Sequence, residues 1–160
     1  MSTGEVISER KPPAAKALVG LVVFQGISGV VGGVMMFLDP TGTAYGFPAE
    51  WLDSIPFPDY TVPGAILFFP LGLAALLDGY GLVRRPLWRW ARGLTAWSNQ
   101  HWSWAGAVAL GVALVAWIVV EVAILPGIGP IQVLYFLVGG LIVLLCFLRP
   151  VHSYYRLSSS

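Results

Sequence analysis

The sequence predicts an all-α fold: a four-helix transmembrane bundle of two helical hairpins, with both termini on the cytoplasmic side. Three observations carry this. Of 160 residues, 57% are hydrophobic and only 11% are charged, whereas a soluble domain carries about a quarter charged residues. The apolar residues are gathered into four long runs separated by polar, Pro-rich and Gly-rich segments. The nine Lys and Arg residues all fall in segments that four crossings place on one side.

A cytoplasmic segment, 1–16, precedes a transmembrane domain over 17–148. Span one covers 17–38 and reads as a retained span, because it is longer than a signal-peptide core and no small-residue cleavage site follows. Span two covers 62–83, span three 102–125 and span four 131–148. At about 1.5 Å per residue each suffices for a hydrocarbon core of about 30 Å, and backbone groups in lipid must be satisfied internally, so these runs are helices. The connections are an outer loop over 39–61, an inner loop over 84–101 and a tight outer turn over 126–130. The last makes spans three and four an antiparallel hairpin. A cytoplasmic tail over 149–160 follows.

Orientation follows from charge. Arg10, Lys11 and Lys16 precede span one. Arg84, Arg85, Arg89 and Arg92 lie between spans two and three, and Arg149 and Arg156 follow span four. None lies in an outer connection. The positive-inside rule then puts both termini in the cytoplasm of a bacterial inner membrane. Trp88, Trp90 and Trp97 interleave with the arginines of the inner loop. Beside two spans this pattern reads as a surface contacting anionic headgroups through Arg84, Arg85, Arg89 and Arg92, so membrane lipids are the expected partner and nucleic acid is not. Trp102 and Trp104 extend the aromatic belt into span three. The outer loop carries Asp39, Glu50, Asp53 and Asp59 as its only charges. It reads as an ordered segment with an interfacial turn or short helix whose aromatics dip into the headgroups.

Small residues mark the packing faces. Gly29 with Gly33, and Ser28 with Gly32, form small-xxx-small pairs in span one, and Ala105, Ala109, Ala113 and Ala116 form a stripe on span three. Such faces let backbones approach closely, and ordinary packing within the chain is the reading favoured here. Pro70 removes one backbone hydrogen bond inside span two and predicts a kink. Pro63, Leu67, Phe68, Phe69 and Gly72 match Pro130, Leu134, Tyr135, Phe136 and Gly139 at one constant offset. Two related hairpins or coincidence would both produce this match.

Only two acids lie within spans, Asp78 and Glu121. Both sit near helix C-termini, where the helix dipole disfavours negative charge, so each must be paired, hydrogen-bonded, hydrated or protonated. Asp78 has Arg85, His101 and Arg149 at its level, which suggests an inner-rim ion pair or, with His101, a proton relay. Glu121 lies in the outer half, where the chain offers no Lys or Arg. Gln132 and Tyr135, across the tight hairpin, are its candidate hydrogen-bond partners, and Trp117 shares its helix face. These four are candidate ligand or partner contacts.

His101 and His152 are the only histidines, and Cys146 is the only cysteine. Cys146 reads as a small buried hydrophobe, and a lone cysteine excludes an internal disulfide, a CxxC pair and a Cys-rich zinc site. No cofactor or metal is expected, since the two histidines lack further ligands. Span one is not a phosphate loop, and no serine-hydrolase elbow is present, so no catalytic residue is assigned.

Three strings, Pro56-Phe57-Pro58-Asp59-Tyr60-Thr61-Val62-Pro63-Gly64, Trp117-Ile118-Val119-Val120-Glu121 and Ile131-Gln132-Val133-Leu134-Tyr135, resemble a group of small four-span bacterial membrane proteins. That group is common in actinobacteria and has no assigned function. The resemblance implies the architecture and a bacterial inner membrane, and nothing catalytic.

The sequence thus favours a non-catalytic integral membrane protein acting as an accessory or scaffold subunit of a larger complex. Its partner would be another membrane protein with a basic residue near Glu121, supplying the missing counter-ion; association with a second copy of itself belongs to the alternative. The alternative is a homo-oligomeric module that binds or transports a lipid or small molecule through Glu121 near the outer leaflet. One bundle is expected to enclose little space, so this alternative calls for dimerisation and a polar-lined cavity. An intramembrane enzyme acting on lipids has little behind it beyond the interfacial arginines.

Overall fold

The computed structural model describes residues 10–88, 91 and 99–157; Arg89, Arg92, Trp90 and Trp97 lie outside them. Four helices are long and apolar enough to cross a membrane: span one Pro13–Leu38, span two Thr61–Arg84, span three Trp102–Ile124 and span four Pro130–Phe147. The chain is an all-α, multi-pass membrane protein. Span one starts earlier than its apolar run because Pro13 occupies the first helical turn, where a missing N–H costs nothing, and Ala14, Ala15 and Lys16 continue the helix. Span four opens on Pro130 for the same reason. Around Pro70 the helix is not regular α: Phe69–Leu73 is a π-helical turn.

The spans form a ring in which each packs on the next and span four returns to span one. Loop end here denotes the end carrying residues 39–60 and 125–129, and terminal end the opposite one. Glycine decides where the helices touch. In the first hairpin a Cβ at Gly29 would lie 2.6 Å from the Leu71 carbonyl oxygen, and one at Gly33 would lie 2.7 Å from that of Gly64. In the second a Cβ at Gly111 would lie 2.9 Å from the Gly139 carbonyl oxygen. Backbones are in direct contact at these points, so the Gly29–Gly33 pair serves packing within the chain.

The alanine stripe does not. Ala109, Ala113 and Ala116 are exposed and Ala105 is half-buried. Span three turns Ala107, Leu110, Gly111, Leu114 and Ile118 inward instead, because Gly111 permits a closer approach than any alanine. The matched segments of spans two and four do face alike: Leu71, Gly72 and Ala75 are buried, and so are Val138, Gly139 and Ile142 at the same offset.

Between hairpins the close contacts lie toward the terminal end. A Cβ on Gly81 would strike Trp102 and Ser103, and one on Gly106 would strike Asp78. Nearer the loop end, Thr61–Phe68 packs chiefly on span one, and span three packs chiefly on the π turn and the lower part of span two. The hairpins therefore join at the terminal end and diverge toward the loop end.

Two prolines organise the terminal junction. The carbonyl of Cys146 would ordinarily be paired by residue 150, which is proline and has no N–H. The Trp104 indole N–H donates to it instead, at 2.9 Å, so Trp104 is a buried inter-span contact and not a belt residue. Pro86 likewise denies a donor to the Leu82 carbonyl, which accepts from the Tyr155 hydroxyl at 2.9 Å and Lys11 Nζ at 3.1 Å. The segment after span four is no plain tail. It forms a helix, Arg149–Tyr154, and returns to pair with the start of span three, where the His101 N–H donates to the Tyr155 carbonyl and the Leu157 N–H to that of Asn99, both at 2.8 Å.

Gly29→Ala is expected to lower the stability of the detergent-solubilised protein by roughly 1–3 kcal/mol, the usual cost of overpacking. Gly140→Ala, with open space around the new methyl, should leave the thermal midpoint unchanged or raised. Equal midpoints for both variants would contradict the glycine seam.

Candidate functional site

The loop-end cleft is covered by an ordered loop. Asp39 anchors it, accepting from the Thr41 hydroxyl at 2.6 Å, the Ala44 N–H at 2.7 Å and the Thr41 N–H at 3.1 Å. These bonds, the Thr41 hydroxyl foremost, hold its carboxyl below the usual carboxylate range. The Tyr60 N–H closes the loop on the Pro40 carbonyl at 2.9 Å. A 3₁₀ turn, Thr43–Tyr45, and a short helix, Ala49–Ser54, fill it. Phe47 packs against Tyr60 and Trp51, at ring-centroid distances of 5.4 and 6.1 Å. The expected turn and helix are present, but Phe47, Trp51 and Phe57 face a cavity below them. They form a roof because the diverging hairpins leave apolar wall that only the loop can cover.

The cavity measures about 540 Å³, inside the range of roughly 300–1,000 Å³ typical of small-molecule sites. It descends from the roof to Gln25, roughly 20 Å below the loop end of span one at 1.5 Å per residue. Between spans one and four Tyr135, one of its lining residues, stacks on Phe24, with centroids 6.2 Å apart. The walls are mostly apolar, with Met35, Leu67, Leu114 and Ile118 among them. Val31, Val120 and Ile131 also line it and are 52%, 48% and 63% exposed, so the cavity reaches the lipid-facing surface. One opening lies between spans one and four. A shallower cleft sharing Trp117 and Val120, and bounded by Pro70, Ala113 and Ala116, marks a second between spans two and three.

Three residues that line this space carry buried polar atoms without a hydrogen-bond partner among the described residues. Gln25 is 1% exposed; its Nε2 donates to the Leu71 carbonyl of the π turn at 3.2 Å, while its Oε1 has no partner among the described residues. The Tyr60 hydroxyl and Trp117 Nε1 are buried and equally unpaired, and both residues line the cavity. A buried polar atom without a partner costs on the order of 1–3 kcal/mol, and these three are closed off from open space by the groups packed around them. Glu121 also lines the cavity, one turn above Trp117. Its carboxyl lies close enough to the Trp117 indole to interact with it, but without the alignment of a good hydrogen bond.

The sequence therefore located part of this site. Glu121, Trp117, Gln132 and Tyr135 are brought together around one cavity. Gln132 does not serve Glu121 through its carbonyl, however: its Oε1 accepts the Gly129 N–H at 3.0 Å and caps its own helix, whose first N–H groups lack intrahelical partners. Tyr135 places its ring on Phe24. Gln25, Tyr60 and the roof were missed. Gln25 is the one amide in span one, which was signal enough to single it out. The roof has no comparable mark, because loop aromatics read alike whether they face headgroups or a cavity. The cavity is also built by a single chain, so the expected need for dimerisation does not arise.

The inner-rim cluster is not assembled as expected. Asp78 is 5% exposed and neither carboxyl oxygen has a hydrogen-bond partner among the described residues. It faces Gly106, whose missing side chain makes room for it. Arg85 instead stacks its guanidinium 4.6 Å from the Tyr154 ring centroid, drawn there by the returning segment. Arg149 is exposed at the start of the terminal helix. His101 turns away: its Nε2–H donates to the Pro86 carbonyl at 3.1 Å, leaving Nδ1 to accept from Ser103, whose hydroxyl lies 2.8 Å away. His152 lies 3.0 Å from the Gln100 amide nitrogen. Of the candidate lipid-contact arginines, Arg84 is exposed and Arg85 is half-buried; Arg89 and Arg92 lie outside the described residues.

Fold and site together define a small four-span membrane protein with a roofed, laterally open cavity in one half of its bundle. Comparison with protein-family models, curated proteins and solved structures finds no match.

Burial lowers the His101 imidazole from its ordinary 6.5, against the opposing pull of the Pro86 carbonyl, and the Arg85 charge adds to the lowering. A group lowered on folding contributes stability that is full above its unfolded value and is lost as pH falls through the folded one. The melting midpoint in detergent is therefore expected to fall between pH 7 and pH 5. His101→Gln should flatten that decline while lowering the midpoint at pH 7; an unchanged decline would show that another group is responsible.

Proposed function

We propose that this protein is a non-catalytic module that binds a lipid-like or small apolar ligand in the outer half of a bacterial inner membrane and exchanges it with the bilayer through its lateral openings. The cavity under the loop carries this reading: it is large enough for an organic ligand, it reaches the lipid-facing surface, and Glu121 lines it with no basic residue in the lining. Placement in the outer half follows from charge, since every described Lys and Arg lies at the terminal end and the positive-inside rule makes that end cytoplasmic.

The same geometry supports the ligand reading over that of an accessory subunit. A ligand in the cavity would meet Glu121, which lines it, so a counter-ion on a partner protein is not needed to account for that carboxyl. Ligand entry from the membrane accounts for the lateral openings, and the roof accounts for the ordered, aromatic loop.

Titration of the neutral fluorophore N-phenyl-1-naphthylamine into the protein in lipid nanodiscs tests this. Saturable binding of about one probe per chain, above the partitioning into empty nanodiscs, is expected. Ser28→Phe and Gly32→Leu place bulk in the cavity from span one, and each should weaken binding by at least about tenfold, equivalent to ~1.4 kcal/mol. Binding that matches empty nanodiscs, or that neither variant alters, would overturn the reading.

A further inference from the structure

The cavity's polar groups are of one electrostatic kind. It holds a carboxyl, Glu121, and no Lys, Arg or His among its lining residues. Every described Lys and Arg lies at the opposite end of the bundle. The acids of the loop, Glu50, Asp53 and Asp59, lie at the mouth's end of the molecule and add negative potential there. The titratable groups facing the cavity are Glu121 from span three, Tyr60 from the start of span two and Tyr135 from span four; span one contributes the uncharged Gln25 and Ser28. Nothing within this lining neutralises the carboxyl.

The lining is also rich in aromatic rings. Trp51 and Phe57 from the roof, Tyr60, Trp117 and Tyr135 surround the upper part of the space. Aromatic faces attract cations through their quadrupole, more strongly where water is excluded, and rings around an acid are a recurrent means of holding organic ammonium groups. Below Glu121 the wall is mostly apolar, down to Ser28 and Gln25. An anion would meet like charge at Glu121, and a neutral ligand would leave the carboxyl without a counter-charge.

We propose that the cavity selects a lipophilic organic cation, an amine or onium centre on an apolar body, with the charge seated beside Glu121 and Trp117 and the body extending toward Gln25. This rests on the ligand-binding reading above and specifies its substrate class. The cation supplies the counter-charge that the chain withholds, and the aromatic walls take the part of its lost hydration. The lateral openings admit such a molecule from the membrane, where amphiphilic cations accumulate.

Tetraphenylphosphonium and tetraphenylborate, nearly equal in size and opposite in charge, separate charge from shape. Both are titrated by equilibrium dialysis against the protein in zwitterionic nanodiscs, with empty nanodiscs subtracted. Saturable binding of the phosphonium and none of the borate is expected, with the phosphonium displacing N-phenyl-1-naphthylamine. Glu121→Gln should weaken phosphonium binding by roughly tenfold or more. Equal binding of both ions, or phosphonium binding untouched by Glu121→Gln, would overturn the cation assignment. If the neutral fluorophore still binds saturably in that case, the cavity reading survives; if it does not, both fail together.

Discussion

The positions of the glycines determine where this bundle is closed and where it is open. In an apolar solvent helices gain nothing by hiding hydrophobic surface from water, so they associate where backbones can approach closely enough for dispersion and local polar contacts to accumulate. Gly29 and Gly33 bring span one against the backbone of span two, and Gly111 and Gly139 do the same for spans three and four. Each hairpin is thereby a closed unit along most of its length. Between hairpins the close contacts at Gly81 and Gly106 lie toward the terminal end. Above them larger side chains hold the hairpins apart, and the cavity is the space that results.

The two ends of the bundle satisfy backbone polarity by different means. At the terminal end Pro86 and Pro150 leave carbonyls without their helical partners, and Tyr155, Lys11 and Trp104 reach in from other elements to fill the bonds. The result is a junction stitched across spans two, three and four and the returning segment. At the middle, Pro70 opens a π turn, and the Leu71 carbonyl within it takes the Gln25 amide. One polar side chain is thus fixed at the floor of the cavity, its other atom buried without a partner among the described residues. A backbone defect in span two is in this way converted into a polar feature of the site.

The spans were legible in the sequence because length and hydropathy alone define them, and the clustering of Arg84, Arg85 and the other basic residues fixed their number. Glu121 stood out because an uncompensated acid in an apolar run is expensive. The rest depended on which helix faces meet, which a single apolar run encodes weakly: every face of span three is hydrophobic, so the alanine stripe and the Gly111 face looked equally suited to packing. Asp78 was misassigned for a related reason. Sequence depth placed Arg85 and His101 at its level, but the return of 149–157 to the bundle diverts Arg85 to Tyr154, and the Pro86 carbonyl holds His101. Both diversions depend on long-range contacts that no local pattern announces.

The central claim is that one chain holds a small organic molecule between its two hairpins. Native mass spectrometry of the protein released directly from its membrane tests it most directly. The account predicts a single chain carrying one additional small-molecule mass, retained on gentle activation and absent from Ser28→Phe. A chain that travels bare, one that keeps the same extra mass after Ser28→Phe, or a stoichiometric complex with another protein in place of any small molecule would contradict it.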